Sequence, residues 1–191
     1  LGRAVAPSKL AIMQSSGLTI SAEHAAERAV NLLLSGPAGG LAAAVHIGRQ
    51  TGQQQLMTFD MGGTSTDVAL LEGEIRLTDQ GRIADYPVAV PMADIHTIGA
   101  GGGSIAYVDA GGLLQVGPAS AGASPGPACY GRGGTAATVT DANLMLGRLR
   151  EDAFLGGKMP LHRKAAEAAL LPLAEALQIS TTAVALGIVK I

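Results

Sequence analysis

The chain has 191 residues, 48% of them hydrophobic but only 3% aromatic and none Trp, and its 27 glycines are roughly twice the ~7% share usual in soluble proteins. Thirteen basic against fifteen acidic residues leave a net charge of −2 with no basic stripe, which argues against non-specific nucleic-acid binding. One cysteine excludes an intrachain disulfide framework and a Cys-only zinc site, and no apolar run approaches the ~20 residues that span a bilayer. A soluble, cytoplasmic protein of one domain or two small lobes is expected, with a core of Ala, Val, Leu, Ile and Met. The chain starts at Leu1 without a Met and stops at Ile191 inside the apolar run Ala183–Ile191. These termini suggest a piece of a longer protein.

Along the chain, Lys9–Gln14 (KLAIMQ) predicts a strand closed by the turn residues Ser15, Ser16 and Gly17. Ser21 followed by Glu23 signals a helix start, with Ala-rich spacing to about Arg28. Val30–Leu34 (VNLLL) predicts a strand running into the loop Ser35–Gly40 (SGPAGG), and Leu41–Gln50 predicts a helix ended by Gly52. Leu56–Phe59 (LMTF) predicts a buried strand. Val68–Leu71 and Glu74–Thr78, joined by Glu72 and Gly73, predict a hairpin, and Tyr86–Val90 a further strand. Twelve of the glycines fall in Gly99–Gly134, where Asp109 and Arg132 are the only charged residues. Within it, Ser104–Asp109 and Leu113–Gly117 form a hairpin-like pair. Asp141–Leu149, Leu161–Leu177 (kinked or broken at Pro172) and Thr181–Ile191 have helical spacing. Early alternation of strands and helices gives an α/β class.

The segment richest in chemistry is Leu56–Leu71, LMTFDMGGTSTDVALL. A strand delivers the carboxylate of Asp60 to its end. Gly62 and Gly63 then allow a tight reversal with exposed N–H groups, and Thr64, Ser65 and Thr66 supply hydroxyls before a second strand leaves from Asp67. Such a loop can cradle phosphate oxygens, while the carboxylate holds Mg²⁺ through water or orients a nucleophile. The plainer alternative is a solvated Asp-Gly-Gly turn. The combination of Asp, Gly-Gly, three consecutive hydroxyls and Asp between two apolar strands favours phosphate.

Asp60–Val68 resembles the phosphate loop of the actin-like ATPases. The wording DMGGTSTDV is similar, more narrowly, to the hydantoinase A / 5-oxoprolinase family. Ser35–Gly40 (SGPAGG), Pro91–Ala106 (PMADIHTIGAGGGSIA) and Gly117–Asp141 (GPASAGASPGPACYGRGGTAATVTD) resemble the same family, so the likeness runs in order over about residues 8–150. It implies an α/β fragment of the actin-like (ribonuclease H-like) fold, a mixed sheet with flanking helices and a glycine-rich region. The fragment would divide into a first α/β part at about 8–90, a glycine-rich part at about 91–140 and a helical part at about 141–191. It also implies an ATP- and Mg²⁺-dependent enzyme that phosphorylates the carbonyl oxygen of a cyclic amide, such as a hydantoin or 5-oxoproline, before water opens the ring. A hydantoinase B-like subunit or domain is the implied partner; nucleic acid and membrane are not. Two alternatives stay open: a carboxylase subunit that phosphorylates a ketone enolate, and a non-catalytic nucleotide-binding scaffold. The family's other DxGGTxTD loop and its GGAGP-like adenosine segment are absent from these 191 residues, and Ser15, Ser16 and Gly17 stand where a Gly-Gly is usual. A fragment of this kind would not turn over ATP alone.

Under that resemblance Asp60, Asp94 and His96 are the catalytic candidates, with Asp60 also holding Mg²⁺. Gly62, Gly63, Thr64, Ser65 and Thr66, with Gly39 and Gly40, are the phosphate candidates; Gly101, Gly102 and Cys129 are assigned to the substrate pocket. Each has a plainer reading. The SGPAGG glycines could bind an anion at a helix N-terminus, or only permit a tight connection. Asp94 and His96, two apart, would share a face of an extended segment as metal ligands, a base pair or substrate contacts, or be structural. Cys129 is either a buried small hydrophobe or a pocket residue. Thr140 reads as a helix cap with Asp141 beside the dipole. Other motifs fail on context. Gly99–Ser104 lacks the last Gly of GxGxxG and leads into a strand, no GxxxxGK[ST] exists, and prolines 125 and 127 forbid the helix that a GxSxG elbow at Ser124 requires.

Overall fold

The computed structural model describes residues 5, 7–83 and 86–191. The protein is α/β, and its chain divides into two compact units. One comprises the residues up to Asp60 together with Asp67–Thr97; the other comprises Met61–Thr66 and Ile98–Ile191.

In the first unit β1 (Ala11–Met13) pairs antiparallel with β2 (Thr19–Ser21), Ile12 opposite Ile20. The turn between them closes as Gly17 N–H donates to the Gln14 carbonyl at 3.0 Å. Helix α1 (Ala22–Glu27) starts at the expected cap: the Ser21 hydroxyl accepts from His24 N–H at 3.4 Å. The predicted strand Val30–Leu34 is instead a 3-10 turn, Ala29–Leu32. Its Asn31 carbonyl accepts from both the N–H and the hydroxyl of Ser15, each at 2.7 Å, so a buried polar anchor overrides the apolar run. Helix α2 (Ser35–Thr51) begins earlier than predicted and absorbs SGPAGG into its opening turns. Pro37 is tolerated because the first turn has no intrahelical use for its missing N–H. Gly52, at φ 73°, ends the helix as expected.

Strand β3 (Gln55–Met61) turns at residues 62–65 into β4 (Thr66–Glu72). The hairpin predicted around Glu72 and Gly73 does not form. β5 (Leu77–Thr78), β6 (Gly81–Ile83), β7 (Tyr86–Val88) and β8 (Met92–Ala93) follow, with β6 paired to β7 inside the antiparallel pair of β5 and β8. β9 (His96–Ile98) completes a sheet of order β3-β4-β9. The described strands thus form several small sheets rather than one broad sheet. Ala69, Leu71 and Ala93 bury against Ala38 and Leu41 of α2. β3 is not the buried strand predicted: Leu56 packs inward, but Met57, Phe59 and Met61 are 67%, 63% and 50% exposed. A short run such as Leu56–Phe59, three apolar residues and a threonine, cannot say which side of a strand is covered.

In the second unit β10 (Ser104–Val108) and β11 (Leu114–Ser120) form the expected antiparallel hairpin. Asp109 builds its turn, accepting from Gly111 N–H at 2.9 Å, Leu113 N–H at 3.0 Å and the Gln115 amide at 2.9 Å. The Leu113 N–H foremost, then the Gln115 side chain, hold the Asp109 carboxyl below the usual carboxylate range. Helix α3 (Val139–Met145) follows. Its cap is Thr138, not Thr140: the Thr138 hydroxyl accepts from Asp141 N–H at 3.3 Å while the Asp141 carboxylate reaches back to Thr138 N–H at 3.0 Å, a capping box. Helix α4 (Arg163–Leu177) runs unbroken through Pro172, whose ring and the facing Ala168 lie on the exposed side, where water can serve the freed carbonyl. Helix α5 (Thr181–Lys190) is capped by the Ser180 hydroxyl, which accepts from Ala183 N–H at 3.2 Å. Leu170, Val184, Ala185 and Ile188 of these helices close over Ala106 and Ala142. As the composition implies, no aromatic side chain is among the buried apolar residues described.

Candidate functional site

The turn between β3 and β4 is narrow: Gly62 N–H donates to the Ser65 carbonyl at 2.8 Å. Gly62, Gly63 and Thr64 are exposed and Ser65 is half-buried. Among the described residues the N–H groups of Gly63, Thr64 and Ser65 have no hydrogen-bond partner. Their carbonyl side is occupied. Gly102 N–H donates to the Gly62 carbonyl at 3.0 Å and Gly103 N–H to the Gly63 carbonyl at 2.6 Å. A Cβ on Gly101 would stand 2.8 Å from the Gly62 oxygen, the Gly63 carbonyl carbon and the Thr64 nitrogen, and one on Gly103 would meet the Gly63 oxygen at 2.8 Å. Only glycine lets these two backbones approach so closely. Successive free amides on a supported turn make an anion-binding concavity.

Thr66, expected among the phosphate ligands, is turned inward instead. It is 2% exposed, and its hydroxyl donates to the Ala100 carbonyl at 2.6 Å. Thr64 is exposed and Ser65 half-buried, and Ser120 Oγ lies 3.4 Å from Thr64 Oγ1.

Asp60 is exposed near the end of β3 and lines a cavity of ≈ 200 Å³ with Asp67, Thr58, Pro37 and Gly40. Asp67 is oriented by Thr97, whose hydroxyl donates to Oδ1 at 2.7 Å. Gly39 and Gly40 lie past the first turn of α2, where N–H groups belong to the helix's own ladder. What Gly40 offers the cavity is an open surface, with no heavy atom within 4 Å of where a Cβ would stand. Asp94 and His96, both exposed, line a second cavity of ≈ 340 Å³ with Arg76 and an apolar wall including Met57 and Leu70. Among the described residues no group of three or more His, Cys, Asp or Glu is placed to hold a metal.

Comparison with known proteins places the chain in a family. A family model described as hydantoinase/oxoprolinase matches residues 2–191. The chain belongs to the hydantoinase/oxoprolinase family. It is 48% identical over 167 residues to caprolactamase subunit alpha of Pseudomonas jessenii, a stretch covering 86% of this chain and 24% of that protein. To a 5-oxoprolinase of Pestalotiopsis fici it is 51% identical over 123 residues, 64% of this chain and 9% of that one. Its backbone matches that of nucleotide-free acetone carboxylase with a TM-score of 0.82 at 31% identity, over 95% of this chain and 26% of that one. The chain therefore spans about a quarter of caprolactamase subunit alpha and of the acetone carboxylase chain.

Within this family member the remaining candidates are more deeply placed. Gly101 is buried and Gly102 half-buried, both beneath the turn at 62–65. Cys129 is 0% exposed and packs with Leu144, Leu161 and Ala166. Burial foremost, then the charge of Asp141, pushes its thiol far up from the ordinary cysteine value. We predict that iodoacetamide leaves Cys129 unmodified in the native protein at pH 7–9 and alkylates it in urea; native labelling at a free-thiol rate would refute its burial. Sequence reasoning gave Asp141 too small a part. It is 0% exposed and accepts from Cys129 N–H at 2.8 Å, Ala128 N–H at 3.3 Å and the Thr138 hydroxyl at 2.7 Å, in addition to Thr138 N–H. The Thr-x-x-Asp spacing was the available signal. Arg76 carried none, because only the fold brings it to the cavity of Asp94 and His96.

Proposed function

We propose that this chain supplies a phosphate-binding loop and part of the substrate-binding surface of an actin-like, ATP-dependent enzyme that opens cyclic amides. The supporting observation is the turn after Asp60, whose three N–H groups have no partner among the described residues and are held on a fixed backbone. The donor set suits a triphosphate and its cation: the N–H groups of Gly63, Thr64 and Ser65 and the hydroxyls of Thr64 and Ser65 for phosphate oxygens, the exposed Asp60 carboxylate for hydrated Mg²⁺. Such a cation neutralises charge that develops on a phosphoryl group in transfer. The loop's own part is to orient the γ-phosphoryl group toward the amide carbonyl oxygen. Transfer forms the O–P bond there as the bond from the γ-phosphorus to the β-phosphate oxygen breaks and ADP leaves. One water then adds to the activated carbon, the ring C–N bond breaks with a proton passing to the nitrogen, and a second water hydrolyses the resulting acyl phosphate to carboxylate and phosphate.

Asp94 and His96, with Arg76, are assigned to contact with the amide substrate. Gly39 and Gly40 are assigned to the nucleotide side, as surface rather than as N–H donors. Cys129, Gly101 and Gly102 shape the glycine-rich region from behind. The relative called a subunit alpha supports a hydantoinase B-like partner. The likeness to acetone carboxylase favours a second reading, enolate phosphorylation in a carboxylase. ADP release by the full-length protein, with its partner, separates them. A hydantoin, 5-oxoproline or caprolactam is expected to stimulate release without bicarbonate. Stimulation only by a ketone with bicarbonate would establish the second reading, and no stimulation by either would leave the scaffold.

A further inference from the structure

We infer that Thr66 and Thr140 are positioning residues that set the direction of the loop's N–H groups through the backbone of residues 100–103, an inference that rests on the phosphate-loop reading above. A trans peptide holds its C=O and N–H antiparallel. The Gly62 carbonyl is fixed by Gly102 N–H at 3.0 Å, so the N–H of Gly63, in the same peptide plane, points away from the support. The Gly63 carbonyl is fixed by Gly103 N–H at 2.6 Å, which turns the N–H of Thr64 outward in the same way.

The supporting strip is itself pinned at several points. Thr140 donates twice to the Gly102 carbonyl, from its N–H and from its hydroxyl, each at 2.8 Å. Ala121 N–H donates to the Gly103 carbonyl at 2.8 Å. The Thr66 hydroxyl holds the Ala100 carbonyl at 2.6 Å, and Gly101 N–H donates to Ser104 Oγ at 2.9 Å. Thr140 is 8% exposed and Thr66 2%, so neither hydroxyl is replaced by water without cost. The hydroxyl of Thr66 thus works from behind the loop, and Thr140, on a helix, extends the support to the helical core.

The test is made on the full-length protein with ATP as the probe. Thr66→Val and Thr140→Val keep shape and remove the hydroxyl. Each is expected to raise the KM or Kd for ATP by about tenfold, the worth of one buried hydrogen bond, with a smaller change in kcat. Thr66→Ser and Thr140→Ser are expected to restore it. Residue-resolved hydrogen exchange on the unmodified protein gives a second measurement that needs no variant to fold. Gly102 and Gly103 N–H should be protected without nucleotide, and Gly63 and Thr64 N–H only when ATP is added. Val variants that bind ATP like the parent, or Gly102 and Gly103 N–H groups that exchange as fast as those of Gly63, overturn the inference alone. A parent protein that binds ATP without protecting Gly63 and Thr64, or does not bind it, overturns the phosphate-loop reading and this inference with it.

Discussion

Asp60→Ala in the full-length protein is expected to lower substrate-dependent ATP hydrolysis at least on the order of a hundredfold, the scale of losing one charge-stabilising group in a transfer site. The carboxylate is exposed at the end of β3, immediately before the turn with unpartnered amides. Because it has no hydrogen bond among the described residues and is not buried, its removal should leave folding intact. Steady-state ADP release and a thermal melt, measured together, decide the matter. A variant with the parent's melting temperature and near-normal turnover would sink the assignment of Asp60 to the phosphate loop. Asp60→Asn separates charge from shape: if hydrated Mg²⁺ is what the carboxylate serves, the amide should fare little better than Ala.

The largest loss of stability is expected from Asp141→Ala. Four donors converge on this buried carboxylate, three backbone N–H groups and one hydroxyl. Each hydrogen bond to a charged acceptor contributes ~1.5–3 kcal/mol, and the donors left behind are shielded from water. A loss of about 3–5 kcal/mol, read from the urea midpoint, is the expected result. Asp141→Asn should recover only part of it, since its NH2 group opposes N–H donors. A loss below about 1 kcal/mol for the Ala variant would show that the site relaxes and that Asp141 is no hub.

How much of this was legible in the residues varied with the range of the forces involved. The β10/β11 hairpin, the caps at Ser21 and the stop at Gly52 are local, and each was readable. The three successive hydroxyls at 64–66 read alike in the sequence, and nothing there says that Thr66 faces away, because its partner Ala100 is distant in sequence. SGPAGG reads as a loop since Gly and Pro disfavour helix interiors; the first turn of α2 tolerates Gly36 and Pro37, and the helix continues through Gly39 and Gly40. Thr140 looked like the cap because it adjoins Asp141, whereas the capping geometry needs the residue three before it, Thr138. GAGGGS reads as lining a substrate pocket; what its glycines visibly permit is contact between two stretches of main chain. Glycine content reports that something comes close, not what.

The division of the chain bears on how it can be dissected. Met61–Thr66 belongs with Ile98–Ile191, while the strands on either side of it belong with the earlier residues. The polypeptide therefore passes from one unit to the other at three places, after Asp60, Thr66 and Thr97. No single cut yields two intact modules. A clone ending at Thr97 would retain every residue of DMGGTSTD and lose the strip that gives it shape, so a truncation chosen by motif would carry the signature without the site.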